Sequence, residues 1–194
     1  MDPAAVLTEA GSVNERLTAG GDLWLRPWAP DDLDAVLCAF TDPEMWRQSE
    51  EPVDTVPAAA AWIAARQRHW ATGTGYSWAV LDARSVVLGC VEVGAVNRRH
   101  GCGWVSYWTT KAARGRGVAT AACRTASDWA LYDLGLHRLE LGHRLNNPAS
   151  CQVATRAGYR PEGVQRDKLR YDGRWYDVEI HARLVTDRGF AAAS

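Results

Sequence analysis

The chain has 194 residues with a formal net charge of −1, and 47% of its residues are hydrophobic. A chain of this length and composition is expected to form one globular domain with a sizeable core. Its near-zero charge supplies no global field that would attract nucleic acid or an anionic membrane. No apolar run approaches the roughly 20 residues of a membrane-spanning helix, and residues 1–10 lack the basic and apolar regions of a secretory signal.

The cysteines are odd in number and contain no Cys-x-x-Cys pair, which argues against both a zinc site and a disulfide framework. They are Cys38, Cys90, Cys102, Cys123 and Cys151. We expect all five to be reduced, as in a cytoplasmic protein, and we expect no metal.

The first half of the chain predicts a strand, two amphipathic helices and a β-hairpin. Residues 1–21 have no clear periodicity and end in two glycines, so we expect a flexible extension before a single domain over residues 22–187. Proline at a first helical position and apolar residues at helical spacing mark the helices. The predicted elements are a strand over Asp22–Trp28, a helix from Pro30 to Phe40, a short helical turn over Pro43–Arg47, a loop over Ser49–Pro57, a helix over Pro57–Trp70, and strands over Tyr76–Leu81 and Val86–Val93.

The second half predicts alternating strands and helices and ends in a hairpin at Asp172-Gly173. The predicted elements are a loop over Asn97–Gly103, a strand over Trp104–Thr109, a helix to about Leu134, a strand over His137–Arg144, a helix from Asn147-Pro148 to Gly158, strands over Gly163–Tyr171 and Trp175–Val185, and a tail over residues 188–194. One side of the long helix is expected to present Val118, Ala122, Thr125, Trp129 and Tyr132.

Residues 106–120 combine a strand end, two closely spaced glycines and the start of the long helix. Gly115 and Gly117 expose successive backbone N–H groups, and the helix N-terminus adds the positive end of its dipole. These features predict a cradle for an anion such as a pyrophosphate. The spacing lacks the Lys-Ser/Thr of an NTPase phosphate loop and the three glycines of a dinucleotide fingerprint. A plain strand-to-helix connection is the alternative.

The pattern Arg-x-x-Gly-x-Ala in this stretch resembles the acyl-CoA pyrophosphate loop of the GNAT N-acetyltransferase superfamily. Other segments resemble its RimJ/RimL-like branch, which acetylates protein N-termini and small amines. These segments are Leu25–Trp28, Tyr107-Trp108, Trp129-Ala130, Leu136–Leu141, Asn147–Ser150, Ala157–Tyr159, Glu162-Gly163 and Asp172–Asp177. The resemblance covers residues 22–187 and implies an α/β (α+β) fold with a mixed, mostly antiparallel central sheet flanked by helices.

The resemblance also implies acetyl-CoA as co-substrate. Backbone groups of residues 107–109 would pair with the pantetheine arm, and N–H groups of residues 115–120 would hold the pyrophosphate. Arg114 and Arg116 would support the phosphates, but Arg114 would suit the role of a solvated surface arginine equally well. Asn147 and Ser150 would bind near the pantetheine amide and the CoA sulfur, and plain helix-capping roles are the alternative for both. The implied donor-binding residues are Tyr107, Trp108, Thr109, Arg114, Gly115, Arg116, Gly117, Val118, Ala119, Thr120, Asn147 and Ser150.

The implied reaction is direct attack of an amine on the thioester carbonyl in a ternary complex. A base matters more for an alkyl amine with a pKa of about 10.4 than for a peptide α-amine with a pKa of about 7.7–8.0. Two positions where relatives often have acid–base residues hold Trp104 and Ala154 here. The catalytic candidates are Ser150, Asn147 and, as a substitute base, Glu92, with His143 and Asp177 as weaker bases. An acyl-Cys151 intermediate is not favoured, because nothing nearby marks an activated thiolate.

Three interpretations of the activity remain open. The acceptor of an acetyltransferase would be a small amine or a peptide N-terminus, and a homodimer is an allowed assembly. The same fold would also suit another acyl-CoA or an aminoacyl-tRNA, for which five arginines offer a local basic patch. They are Arg98, Arg99, Arg114, Arg116 and Arg124. A non-catalytic acyl-CoA-binding module is the third interpretation.

Overall fold

The computed structural model describes residues 16–49 and 51–187, so the predicted tail and most of the predicted N-terminal extension lie outside it. One sheet contains eight strands: β1 (Leu17–Thr18), β2 (Trp24–Pro27), β3 (Tyr76–Leu81), β4 (Val87–Asn97), β5 (Cys102–Thr109), β6 (Arg138–Arg144), β7 (Arg160–Tyr171) and β8 (Arg174–Leu184). The α-helices are α1 (Leu33–Phe40), α2 (Val56–Thr72), α3 (Val118–Asp128) and α4 (Pro148–Arg156). Within the described residues, none of the helices is long and apolar enough to cross a membrane.

The sheet has the order β1-β2-β3-β4-β5-β6-β8-β7, and every neighbouring pair is antiparallel except β5 and β6. This confirms the predicted mixed, mostly antiparallel sheet. Three residue pairs join β5 to β6 in parallel, from Cys102 opposite Arg138 to Trp104 opposite Glu140. Beyond Trp104 the two central strands separate within the described chain, which creates an opening in the middle of the sheet.

Helices cover both faces of the sheet, and the side chains of β3 alternate between the two layers. Trp78 and Val80 belong to a core cluster shared with α3 and α4, whereas Ala79 and Leu81 belong to a cluster shared with α1 and α2. All six residues of β3 are buried. The strand is therefore a buried partition between two helical layers.

Local capping signals account for the positions of the helix starts. Helix α2 begins one residue earlier than predicted, because the Thr55 hydroxyl accepts a hydrogen bond from the N–H of Ala58 and so fixes the first turn. At its other end, Gly73 adopts a left-handed φ of +67°, which terminates the helix. Helix α4 begins at Pro148 with Asn147 as N-cap, as predicted.

The sheet begins earlier than the sequence predicts. Residues 17–18, placed in the flexible extension, pair with β2, with Leu17 opposite Leu25 and Thr18 opposite Trp24. Gly20 and Gly21 both have positive φ and form the turn between the two strands. The glycine pair is thus a hairpin turn rather than the end of an unstructured segment.

The helix after the glycine turn does not continue as a regular α-helix to Leu134. Residues Trp129–Asp133 form a π-helical turn, in which the N–H of Leu134 donates to the carbonyl of Trp129 at 2.9 Å. The wider turn inserts one residue and rotates the positions that follow. The prediction that Tyr132 lies on the buried side with Trp129 is therefore wrong: Trp129 is 6% exposed and Tyr132 is 41% exposed.

Candidate active site

A cleft of about 630 Å³ opens where β5 and β6 separate. Its walls come from β5, β6, the starts of α3 and α4, the turn before residue 49 and the β7–β8 hairpin. The lining includes Glu44, Arg47, residues 104–109, residues 113–115, residues 117–120, residues 141–144, Asn147, Ser150, Leu169 and Tyr171. Along residues 105–109 one edge of β5 bonds to β4, while no strand of the described chain pairs with the other edge. The backbone polar groups of that edge are open to the cleft.

Side chains anchor β5 on both faces. The Tyr107 hydroxyl donates a hydrogen bond to the backbone carbonyl of Ser150 at 3.1 Å, which ties the strand to the first turn of α4. Burial raises the pKa of the Tyr107 phenol, so this group stays protonated. On the opposite face, the Trp108 indole packs against Trp28 and Phe40, with ring centroids 6.1 Å apart in both pairs. The strand edge at the cleft is thus anchored by side-chain contacts on both faces.

The predicted glycine turn lies at one end of the cleft. Gly115 and Gly117 have φ values of +73° and +77°, and no described atom would come within 4 Å of a Cβ placed at either one. Gly117 is the N-cap of α3, and among the described residues no side chain caps this helix end. The N–H groups of residues 118–120 therefore lack intrahelical partners, and these residues line the cleft.

The two arginines of the turn have different surroundings. Arg114 lines the cleft, but its guanidinium is bound by two carboxylates, Asp42 at 2.7 Å and Glu44 at 3.1 Å. Arg116 is exposed and is not part of the described cleft lining. The structure therefore brings Arg114 to the site as a partner of acidic side chains and does not bring the Arg116 side chain there.

Asn147 and Ser150 interact with each other at the start of α4. The Asn147 side-chain oxygen accepts from the backbone N–H of Ser150 at 3.2 Å, and its amide donates to the Ser150 hydroxyl oxygen at 3.1 Å. The capping alternative is therefore observed for Asn147. The same contact leaves the Ser150 hydroxyl as an acceptor from Asn147, with its own proton still available for donation.

The two positions without an acid–base residue are occupied by apolar groups. Trp104 lines the cleft, and its indole lies over Gly142, where an added Cβ would come within 3.1 Å of the ring. Ala154 is fully buried in the core beneath α4. Neither side chain can transfer a proton.

Glu92 lies one strand away from the cleft. It is opposite Ser106, which lines the cleft, but Glu92 is not part of the described lining. Its carboxylate lies 3.5 Å from the Nε of Arg66 on α2. Burial lowers the pKa of the Arg66 guanidinium, although an arginine remains protonated at neutral pH. This pairing weakens the case for Glu92 as the base, and its role stays a prediction.

We expect Glu92→Gln to lower kcat by less than about fivefold, whereas loss of a general base would cost about 10²-fold or more. The substitution keeps the shape of the side chain while removing the charge that faces Arg66. Initial rates from pH 6 to 9 test this expectation. A loss of 10²-fold that recovers at high pH would instead identify Glu92 as the base.

The two weaker base candidates, His143 and Asp177, and the disfavoured nucleophile Cys151 lie in separate places. His143 lines the cleft and is 7% exposed. Asp177 instead accepts a hydrogen bond from the N–H of Asp167 at 2.9 Å, and so supports an irregularity in β7. Cys151 on α4 lies behind the cleft wall, with its sulfur 3.8 Å from the Glu179 carboxylate.

The sequence does not predict two residues beside the cleft-lining His143, namely Glu179 and His181. They lie two apart on β8, and Glu179 is directly opposite His143. The His181 imidazole contacts the Glu179 carboxylate at 2.8 Å, and this contact lowers the pKa of Glu179. The spacing of two residues along β8 predicts that Glu179 and His181 share a face of the sheet. Which residue of β6 lies opposite them depends on the pairing register, which the sequence does not give.

The five arginines of the predicted basic patch do not lie together. Arg98 and Arg99 precede β5, whereas Arg114, Arg116 and Arg124 follow it. An eight-residue strand is roughly 25 Å long, so Arg98 and Arg99 lie at the opposite end of β5 from Arg114 and Arg116. The side chain of Arg98 also donates to the Tyr76 hydroxyl at 2.8 Å. The expectation of one local patch is therefore wrong.

Comparisons with a family model, with curated proteins and with solved structures all find acetyltransferases. The family model described as acetyltransferase (GNAT) domain matches residues 22–160. The chain is 36% identical over 84 residues to "Probable N-acetyltransferase YjcK" of Bacillus subtilis (strain 168), a match that covers 43% of this chain and 46% of that protein. The chain spans about half the length of the curated relatives it matches.

Two solved structures share the fold at low sequence identity. RimL, a ribosomal L7/L12 alpha-N-protein acetyltransferase in complex with coenzyme A, has a TM-score of 0.81 and 18% identity, covering 88% of this chain and 98% of that chain. RimJ of Mycobacterium smegmatis, in complex with CoA-disulfide, has a TM-score of 0.81 and 20% identity, covering 91% of this chain and 90% of that chain.

Proposed function

The chain belongs to the acetyltransferase (GNAT) domain family, and from this premise we propose that it transfers the acetyl group of acetyl-CoA to a primary amine. The amine attacks the thioester carbonyl directly in a ternary complex, and CoA leaves as the thiol. The acceptor is a small molecule or a peptide N-terminus. The observation that carries the proposal is the cleft between β5 and β6, with an open strand edge along one wall and an uncapped helix N-terminus at one end.

The two ends of the cleft suit different parts of the donor. A pantetheine arm carries amide groups that can pair with the open edge of residues 105–109, as an added strand would. A pyrophosphate suits the unpartnered N–H groups of residues 118–120 and the glycine turn before them. The contact of Arg114 with Asp42 and Glu44 makes the backbone, rather than this arginine, the main phosphate ligand in our proposal.

The chemistry requires little of the protein beyond positioning. Backbone N–H groups of residues 107–109 can stabilise the oxyanion of the tetrahedral intermediate. Deprotonating a peptide α-amine at pH 7 costs about 1 kcal/mol, whereas an alkyl amine costs about 4–5 kcal/mol. Because Trp104 and Ala154 leave the usual acid–base positions apolar, the site favours an amine that loses its proton easily. This argument, together with the protein substrate named for RimL, supports a peptide N-terminus over an alkyl amine.

Free thiol release from acetyl-CoA in the presence of a panel of amines tests the function, with product mass as a second readout. We expect release that depends on the amine, fastest with a peptide whose N-terminus is free and absent when that N-terminus is blocked. Binding of CoA without turnover on any amine would favour the non-catalytic module. Turnover confined to another acyl-CoA, or steeply salt-dependent tRNA binding, would favour the alternative donors.

We expect Ser150→Ala to lower kcat about tenfold with little change in the affinity for CoA. Asn147 orients the Ser150 hydroxyl, and a hydrogen bond from this hydroxyl to the departing sulfur contributes about 1.4 kcal/mol. The leaving thiol, with a pKa of about 8.5, needs no stronger acid. Steady-state kinetics and calorimetric CoA titration separate the two effects, and Thr155→Ala, one turn later on the exposed side of α4, is the control. An unchanged kcat would remove Ser150 from the reaction.

The state of the cysteines supports a reducing, cytoplasmic location. All five cysteines lie within the described residues, and none of them forms a disulfide there. Free thiols persist in compartments where disulfides do not form. This is the basis on which we propose that location.

A further inference from the structure

Four potential metal ligands converge beneath α4: His143 on β6, Glu179 and His181 on β8, and Cys151 on α4. Their ligand atoms all lie within 4.8 Å of one another. The two histidines are nearly inaccessible, at 7% and 1% exposure, and the Glu179 side chain is 26% exposed. Buried polar groups of this kind require partners, so the arrangement needs a physical explanation.

Hydrogen bonding fixes which nitrogen of His143 points into the cluster. Its Nδ1 lies 3.1 Å from the backbone carbonyl of Arg144, and a carbonyl only accepts, so Nδ1 carries the proton. In the neutral imidazole, Nε2 is then a lone pair directed at the other three residues. A histidine that donates one N–H to a backbone carbonyl and presents the other nitrogen is the arrangement typical of metal ligands.

The cluster contains more acceptors than protons. Nε2 of His181 lies 3.0 Å from Nε2 of His143 and 2.8 Å from the Glu179 carboxylate, and that same carboxylate oxygen lies 3.3 Å from the His143 nitrogen. Nδ1 of His181 has no partner among the described residues, so Nε2 makes all the polar contacts of that ring. One proton on this nitrogen cannot make a linear hydrogen bond to both acceptors. A cation bound by all three atoms would satisfy them.

Four distances between the ligand atoms are near those of a zinc site, and all the ligand atoms lie within 4.8 Å of one another, so an ion would bind with a small rearrangement of the four side chains. With Zn–N and Zn–O bonds of about 2.0–2.1 Å, tetrahedral nitrogen and oxygen ligands lie about 3.3 Å from one another, and the three observed separations run from 2.8 to 3.3 Å. The Cys151 sulfur lies 3.8 Å from the Glu179 oxygen, where about 3.5 Å is expected for a thiolate with a Zn–S bond near 2.3 Å. Two imidazoles, a carboxylate and a thiolate are ligands that Zn²⁺ commonly takes in proteins.

We propose that His143, Cys151, Glu179 and His181 form a Zn²⁺ site. Four protein ligands complete a tetrahedral shell, so the ion has a structural role: it fastens α4 to β6 and β8 behind the cleft wall. The expectation of no metal relied on the absence of a Cys-x-x-Cys pair, and this site draws its ligands from three separate elements. The proposal does not depend on the acetyltransferase function, because binding and stability can be measured without any substrate.

The test uses the full chain after removal of metal with a chelator. Zn²⁺ titrated by calorimetry is expected to bind with a stoichiometry of one, and saturating Zn²⁺ is expected to raise the thermal midpoint. Co²⁺ in place of Zn²⁺ is expected to give the near-ultraviolet charge-transfer absorption of a cobalt–thiolate bond. Magnesium chloride at the same concentration controls for a general salt effect.

Cys151→Ala is expected to lower the affinity for Zn²⁺ by at least about tenfold and to remove the cobalt–thiolate absorption of the Co²⁺-bound protein. Cys102→Ala is the matched control, because Cys102 is also half-buried and free but lies outside the cluster. His143→Gln tests a second ligand, and circular dichroism of each variant without metal establishes that it folds. Absence of stoichiometric binding to the parent protein, or equal Zn²⁺ affinity in Cys151→Ala and Cys102→Ala, would overturn the proposal.

Discussion

Gly117→Glu is expected to abolish measurable binding of CoA. Gly117 is the N-cap of α3 with a φ of +77°, and a Cβ there would contact no described atom within 4 Å. A glutamate side chain would therefore occupy the open space in front of the helix N-terminus, where we propose that the pyrophosphate binds. Two unit charges 4 Å apart repel each other by about 4 kcal/mol at an effective dielectric constant of 20, which corresponds to a loss of about 10³-fold in affinity.

Two further variants separate this repulsion from backbone strain. Gly117→Ala has the same left-handed conformation, at a cost of about 1–2 kcal/mol in stability, but neither fills nor charges the cradle. Gly135→Glu introduces the same side chain at another exposed glycine with a φ of +80° and no described atom within 4 Å, at the far end of the same helical segment. We expect both to bind CoA within about threefold of the parent by calorimetry. Undiminished CoA affinity in Gly117→Glu would refute our placement of the donor site.

Elements with a local signal could be predicted from the sequence. Strand β3 has the predicted bounds, and the Asp172-Gly173 turn joins β7 to β8 as expected. The Asn-Pro pair at residues 147–148 marks the start of α4 because capping and proline geometry involve only neighbouring residues. The glycine turn also has a local signal, since glycine permits the positive φ values that Gly115 and Gly117 adopt.

Features that depend on register or on distant partners could not be predicted. The π-turn at residues 129–133 leaves no mark in an amphipathic pattern, so the sequence predicts the wrong side for Tyr132. Arg114 is next to the glycine turn, yet its acidic partners come from residues 42 and 44. The contact of Glu92 with Arg66 joins β4 to α2. The four-residue cluster depends on how β6, β8 and α4 align, which no single segment encodes.

The open edge of β5, which the donor is proposed to use, is positioned from behind by a glycine in β4. Gly89 lies opposite Thr109, and an added Cβ would come within 2.4 Å of the Trp108 carbonyl oxygen and 3.1 Å of the Thr109 Cα. Both contacts are with backbone, so no side-chain rotation can relieve them. The strand would have to move away from β4, toward the space of the cleft.

Gly89→Ala is therefore expected to destabilise the fold by about 3 kcal/mol, at the upper end of the usual range for overpacking, and to raise KM for acetyl-CoA because residues 108–109 are displaced. Gly94→Ala is the matched control on the same strand, where the nearest atom to a new Cβ is the Glu92 carboxylate oxygen at 3.2 Å, the tip of a flexible side chain. Urea unfolding measures the first effect and initial rates measure the second. The control should lose less than about 1 kcal/mol and retain its KM. Equal unfolding midpoints for the two variants would contradict the close approach of β4 to β5, whereas a destabilised Gly89→Ala with an unchanged KM would show that the donor does not use this part of the strand edge.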